Sequence, residues 1–299
     1  MGHKISVIIP VYNRFQYLGD ALQSVFSQNP VPDEVILVDD CSTTSLQTYL
    51  RVCPPPREVR VLRTDRNRRV AGARNWGWRR AEGDLIAFLD SDDTWEPGKL
   101  ERQVRYLDAN PSVSGVYGSM TAHWPDGRTE VWADNRSPVV NAPSALIDHN
   151  ITVQTLLIRR SALETLNGFD ENFGILDDQD IAIRMGTAGL NVHFFGFPPV
   201  ARHRRHSSNH SDHLFIYFKE ECRILRRYRD LYNRTYGPGS DRVRLGRAVR
   251  RWGVHSRWWA RIPATMVASL LYATAPSSAM PRELWGSALP NLEPVSEGE

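Results

Sequence analysis

Cysteine is scarce. Cys41, Cys53 and Cys222 are the only three in 299 residues, and none forms a CxxC pair. An odd, scattered set excludes a disulfide framework or a zinc ribbon and suits a reducing compartment. Long apolar runs are missing as well. The apolar stretch of residues 5–11 stops at Tyr12-Asn13-Arg14, too short for a secretory leader with a small-residue cleavage site. No window reaches the roughly 20 apolar residues of a membrane-spanning helix. Internal repeats and low-complexity tracts are absent. Charge of one sign is not in excess: 37 Lys and Arg against 34 Asp and Glu leave +3, which implies no nucleic acid. The expectation is a cytoplasmic protein with no nucleic-acid partner, large enough for one sizeable core and a smaller appendage.

What is present is an alternation of two periods. Residues 5–11, 34–39, 59–62 and 84–90 are short apolar runs rich in β-branched side chains, as strands buried on both faces would be. Between them, Phe15, Leu18, Leu22 and Val25 step at three and four, residues 70–82 read as a helix, and another helix starts near Pro97 and carries Leu100, Val104 and Leu107. Strand and helix in this rhythm predict right-handed crossovers and a mostly parallel sheet with helices on both faces. From about residue 113 the pattern changes. Strands are expected at 113–119 and 129–133, joined by the turn Trp124-Pro125-Asp126-Gly127, then at 151–158 and 190–197, with a loop over 134–149. A short helix after 158 and another opening at Asp177 complete this part.

Acidic residues gather at strand ends. The second strand runs into Asp39-Asp40 and the fourth into Asp90-Ser91-Asp92-Asp93. Ligands of open α/β sheets bind at the carboxyl ends of strands, whereas a single aspartate there is as well explained by capping. Two carboxylates spaced as in Asp90-Ser91-Asp92 suit a hard cation, Mn²⁺ or Mg²⁺, which takes one or two protein carboxylates plus substrate phosphates. A second cluster, Asp177-Asp178-Gln179-Asp180, packs like charges together, which raises a carboxylate's pKa toward that of a general base. The same acids would also offset a helix macrodipole. Arg202-His203-Arg204-Arg205-His206, then His210 and His213, form a cationic segment suited to a diphosphate.

The last third differs. Phe215, Phe218, Cys222, Leu225 and Tyr228 predict an amphipathic helix over 213–233, broken at Gly237-Pro238-Gly239. Residues 242–261 hold seven arginines, no acid, and Trp252, Trp258 and Trp259. Arginine with interfacial tryptophan points to an anionic membrane surface met by residues 242–275, or else to a basic tail that packs on the core or forms a homodimer.

Taken in order, these strings resemble family 2 glycosyltransferases of the GT-A type. The resemblance rests on residues 6–14, on Leu37-Val38-Asp39-Asp40-Cys41-Ser42, on Ala73-Arg74-Asn75-Trp76-Gly77, and on Phe88-Leu89-Asp90-Ser91-Asp92-Asp93. It continues through Gly168-Phe169-Asp170, Asp177-Asp178-Gln179-Asp180 and Arg184, and spans roughly residues 4–210. It implies an inverting transfer from a nucleotide-diphosphate sugar, UDP foremost, to an acceptor hydroxyl of a glycan, lipid carrier, protein or small metabolite. Pro10, Val11, Tyr12 and Arg14 would line the nucleotide, with Asp39 or Asp40 reading the base. Asp90 would approach the ribose or sugar, and Arg74 and Ser91 would also bind the donor. Asp92, with Asp90, would hold Mn²⁺ or Mg²⁺. Asp178 would be the base, beside Asp177 where the family has Glu, and Arg205 and His206 would face the diphosphate. The implied organisation is a GT-A-like Rossmann-type sandwich over 1–212, with a donor half 1–112 and an acceptor half 113–212. A helical Arg/Trp-rich extension, 213–299, follows, and the protein would sit peripherally at the inner face of the cell membrane. A nucleotidyltransferase would show a Gly-rich basic loop after the first strand, where this chain has Pro10-Val11-Tyr12-Asn13. A non-catalytic carbohydrate-binding adaptor on the same fold is the other alternative.

Overall fold

The computed structural model describes residues 2–132, 139–140, 151–206 and 214–255. These fall into two compact units, one ending at residue 206 and one beginning at 214.

The first unit is built on an eight-stranded sheet. Strand β1 (Ile5–Val11) buries six of its seven residues and lies between β2 (Glu34–Asp39) and β4 (Leu85–Phe88), parallel to both. Strand β3 (Arg60–Arg63) extends the parallel set and forms one edge. The near-continuous apolar runs are explained by cover on both faces. Ile5, Val7, Ile9 and Val11 join one cluster with Leu18 and Leu22 of α1 (Leu18–Phe26) and with Leu100 and Leu107 of α4 (Lys99–Ala109). On the other face α3 (Arg69–Trp78) presses so close that a Cβ on Gly77 would sit 2.5 Å from Ile8 and 2.9 Å from Val38.

Beyond β4 the direction changes. Strand β10 (Leu157–Arg159) runs antiparallel to β4 and to β6 (Gly115–Tyr117). Strand β11 (Val192–Phe194) is parallel to β6, and β9 (Val139–Val140) closes the far edge antiparallel to β11. A second sheet has the order β5 (Thr94–Trp95), β12 (Ala201–Arg204), β7 (Met120–His123), β8 (Thr129–Trp132). Among the described residues no helix is long and apolar enough to cross a membrane.

Several expected elements differ. The single strand at 113–119 stops at Tyr117, because β7 begins in the other sheet; a Cβ at the intervening Gly118 would meet Phe195 at 2.8 Å. It is β7, not β6, that pairs with β8 across the expected turn, where Gly127 takes a left-handed φ of +86°. The run 151–158 is a 3₁₀ turn, Val153–Thr155, before β10. Within the expected loop 134–149, Val139–Val140 is a strand and the remainder lies outside the described residues, as does Ala133. Three elements were not anticipated: α2 (Leu46–Val52), β5 and β12. The two remaining helices of this unit, α5 (Arg160–Leu166) and α6 (Asp177–Thr187), begin where expected.

The second unit holds α7 (Leu214–Arg227), α8 (Arg229–Tyr236) and α9 (Ser240–His255). The helix expected over 213–233 is thus two, parted at Tyr228, with Gly237-Pro238-Gly239 breaking the chain before α9. Arg244 of the arginine-rich run is buried, 3.8 Å from the buried Glu221, so one of those arginines ties α9 to α7 rather than facing outward. The segment 256–299, with Trp258 and Trp259, lies outside the described residues.

Candidate active site

The carboxyl ends of β1 and β2 are stitched together. Val11 accepts the Asp40 N–H at 2.8 Å. Asn13, in the left-handed region at φ 56°, accepts from the Thr43 N–H at 2.8 Å and its hydroxyl at 3.0 Å. Pro10 is partly buried, Val11 is buried and Tyr12 stands out, 44% exposed. Asp39 is fully buried; one carboxylate oxygen accepts the Ser42 N–H at 2.8 Å and the other pairs with Arg63. Asp40 accepts from the Thr64 hydroxyl at 3.0 Å and the Arg68 N–H at 2.8 Å. Burial, which disfavours the charged form, raises the Asp40 carboxyl above the usual range. A base read by either carboxylate would share it with these partners.

One guanidinium joins the acids of the two halves. Arg74, buried on α3, donates to Asp90 at 2.7 Å and to Asp177 at 2.5 Å. Burial alone would weaken its charge, but the two carboxylates reverse that and raise its pKa. Its position follows from α3's neighbour Asn75. The Asn75 side chain donates to the Phe169 carbonyl at 2.8 Å and accepts the Phe169 N–H at 2.9 Å. Gly168 permits that approach, having φ +75° and no room for a Cβ, which would lie 2.3 Å from Asn75 Oδ1. The chain then turns into α6, whose first residues are Asp177 and Asp178. Asp178 accepts the Gln179 N–H at 2.7 Å. Burial first, and the Asp177 charge second, push its carboxyl up to about 7, with Asp90 adding and Arg74 opposing. A carboxyl poised there suits proton abstraction near neutral pH.

The third part of the rim is the end of β12. Asp93, 1% exposed, accepts the Arg204 N–H at 2.9 Å and the Gln154 amide at 2.6 Å, and faces His203 Nδ1 at 3.1 Å. Burial raises the Asp93 carboxyl. Burial opposes the His203 charge, yet Asp93 outweighs it and raises the imidazole. The strand then curls back: Arg204 Nε donates to the Asp92 carbonyl at 3.3 Å, and His206 Nε2 lies 3.1 Å from the Asp92 carboxylate. His206 stacks on Tyr17, with ring centroids 5.4 Å apart. Arg14 reaches the same carboxylate at 4.0 Å. Arg205 continues the pairing through its N–H to the His123 carbonyl at 2.8 Å. A cavity of about 310 Å³ opens beside Asp92, lined by Asp20, Thr94, His123 and residues 202–204.

Comparison with known proteins bears on the family and the fold. The model of Glycosyl transferase family 2 matches residues 6–166. The chain belongs to that family. The putative teichuronic acid biosynthesis glycosyltransferase TuaG of Bacillus subtilis is 40% identical over 107 residues, 34% of this chain and 41% of TuaG. The chain spans less than half the length of the first curated relatives it matches. Among solved structures, S. aureus TarS residues 1–349 in complex with UDP-GlcNAc has a TM-score of 0.66 at 18% identity, covering 92% of this chain and 82% of that one. The mannosyltransferase PcManGT from Pyrobaculum calidifontis, in complex with GDP-Man and Mn²⁺, has a TM-score of 0.59 at 19% identity, covering 96% and 88%. The fold is therefore the GT-A type, with a mostly parallel central sheet.

Against the family pattern, the expected residues divide. Asp90, Arg74 and Asp177 are joined directly; Asp92, Arg14 and His206 form a neighbouring group. Ser91 lies in the turn between Asp90 and Asp92, partly buried. Asp180 stands apart: it holds Arg184 at 2.7 Å, and Arg184 donates to the Leu166 and Gly168 carbonyls. It fixes the turn before α6. His210 and His213 lie outside the described residues. The sequence reading missed Gln154 and Tyr17, and it named Asp93 and His203 only within their motifs, without their pairing; these contacts cross 61 to 189 positions of the chain.

Among the described residues no three His, Cys, Asp or Glu side chains converge to hold a metal ion by themselves. The donor chemistry fits a different mode. Asp92 and Asp90 offer hard carboxylate oxygens two positions apart, the set with which Mg²⁺ or Mn²⁺ binds when substrate phosphates complete the shell.

Proposed function

We propose that this chain transfers a sugar, with inversion, from a nucleotide-diphosphate sugar to an acceptor hydroxyl, and that Asp178 removes the acceptor's proton. The observation that carries the reading is the Arg74 bridge. A buried guanidinium bound to Asp90 at 2.7 Å and Asp177 at 2.5 Å makes one centre of groups up to 103 positions apart. It sets Asp178, pushed up to about 7, beside the acidic turn. Pro10, Val11, Tyr12, Arg14, Asp39 and Asp40 then line the nucleotide, Asp90, Ser91 and Arg74 the ribose or sugar, and His206 and Arg205 the diphosphate.

Asp92 and Asp90 would hold Mn²⁺ or Mg²⁺, whose charge offsets that developing on a leaving diphosphate. Support comes from the relatives' ligands: UDP-GlcNAc in TarS, GDP-Man and Mn²⁺ in PcManGT. TuaG's teichuronic acid pathway favours polysaccharide biosynthesis as the setting. On this reading residues 1–112 bind the donor and 113–212 the acceptor, while in 213–299 the segment 242–275 rests on anionic lipid at the inner face of the membrane or pairs two copies.

The test is a panel of UDP-, GDP- and dTDP-sugars scored by thermal shift with Mn²⁺. A bound donor raises the midpoint, and Asp92→Ala should remove the part of the shift that EDTA also removes. A panel in which no nucleotide sugar moves the midpoint would end the donor assignment.

A further inference from the structure

The surface charge of the first unit is unevenly placed. Residues 51–80 contain ten arginines and two acids, Glu58 and Asp65, although the whole chain carries only +3. Some of these arginines have acidic partners. Arg74 serves the active site, Arg63 meets Asp39, Arg60 meets Glu34 at 3.0 Å, and Arg68 meets Asp65 at 2.8 Å. Arg51, Arg57, Arg66, Arg69 and Arg80 are exposed and form no ion pair among the described residues.

Part of this set is tied together on α3 and β3. Trp76 of α3 lies between the guanidiniums of Arg68, 4.8 Å from its centroid, and Arg80, 3.7 Å away. Arg60 of the edge strand β3 donates to the Arg80 carbonyl at 2.9 Å. At one end Arg68 reaches the candidate nucleotide pocket through its N–H on Asp40. The chain entering β3 adds an apolar tip, Val52-Cys53-Pro54-Pro55-Pro56, flanked by Arg51 and Arg57. Val52 is 77% exposed, the most of any large apolar side chain among the described residues, and Cys53, Pro54 and Pro56 are exposed with it.

Three explanations compete for this combination. Edge protection calls for one or two charges on β3 and leaves the tip unexplained. A soluble polyanion would match the arginines but has nothing to contact Val52 and the prolines. A bilayer bearing anionic headgroups matches both: guanidiniums meet phosphates, the apolar tip enters the acyl boundary, and an arginine-flanked tryptophan suits the interface. We infer that the β3 edge, with the 52–56 tip, is a docking surface for an anionic lipid membrane.

The test is co-sedimentation of the full-length chain with vesicles of phosphatidylcholine alone and of phosphatidylcholine containing phosphatidylglycerol. Two variants are compared with the unmodified chain: Val52→Asp, and Arg51→Gln combined with Arg57→Gln and Arg66→Gln. None of these residues belongs to the active site, so UDP binding and the thermal midpoint serve as controls for an intact fold and donor pocket. The expected result is a preference for phosphatidylglycerol vesicles that falls at least about tenfold in the triple variant and several-fold in Val52→Asp. Loss in the triple variant with full binding by Val52→Asp would overturn the inference in favour of a soluble polyanion. Unchanged binding in both would overturn it in favour of residues 242–275, and no preference for phosphatidylglycerol would overturn it outright. Because UDP binding is read separately, a failure here leaves the donor assignment standing.

Discussion

The two rims of the active site are built differently. After β1 and β2 the loops are held by neighbours about thirty positions apart, Asn13 on Thr43 and Val11 on Asp40, with each hydrogen bond local to one βαβ unit. The end of β12 hangs instead on Asp93, whose contacts with His203 and Arg204 span 110 and 111 positions. The first rim is a by-product of the parallel sheet. The second exists only after the small sheet has formed, and through His206 it governs the surroundings of Asp92. The first, inner rim is thus fixed with the parallel sheet, and the second, outer one is a cationic wall that leans on the buried Asp93.

The largest expected effect lies between the rims. Asp178→Asn should lower turnover by about a thousandfold, the upper part of the range for general-base catalysis, while nucleotide-sugar affinity stays within about twofold of the unmodified chain by titration calorimetry. Turnover at the original rate would assign the base elsewhere. Next comes the outer rim. Asp93→Asn removes a buried charge facing His203 and should cost about 3 kcal/mol by denaturant melting, with weaker nucleotide binding because the strand end that leads to His206 loses its hold on Asp93. The inner rim should respond least. Asn13→Ala removes the side-chain hydrogen bonds to Thr43 and puts a residue that tolerates the left-handed region poorly where Asn tolerates it, a loss of about 1–2 kcal/mol. Equal losses at Asp93 and Asn13 would dissolve the distinction between the rims.

The same difference decides what could be read from the residues alone. Strands β1, β2 and β4 are unbroken apolar runs because both faces are covered, so their pattern is strong and their acidic ends stand out. Strands β5 and β12 hold two and four residues and exist through pairing across about 106 positions, so no local pattern announces them. Helix α2 fully buries only Leu46, and its stripe of Leu46, Tyr49 and Leu50 spans little more than one turn. In α3 the inward residues include Arg74, Asn75 and two glycines, so its amphipathicity is masked by the chemistry it delivers. The acids themselves were legible, whereas their division of labour was not. Asp180 and Asp178 belong to one motif, yet Asp180 holds Arg184 and the turn, a contact that requires the folded α5–α6 corner.

The account rests on the electrostatic union of Arg74, Asp90 and Asp177 around Asp178. Its most direct measurement is turnover against pH for the unmodified chain and for Arg74→Met. Asp178 must be ionised to accept a proton, so activity should rise through a limb near pH 7. Arg74 favours the ionised carboxylate, so its removal should carry that limb to higher pH as well as lowering the plateau. A limb that stays in place when Arg74 is gone would contradict the account.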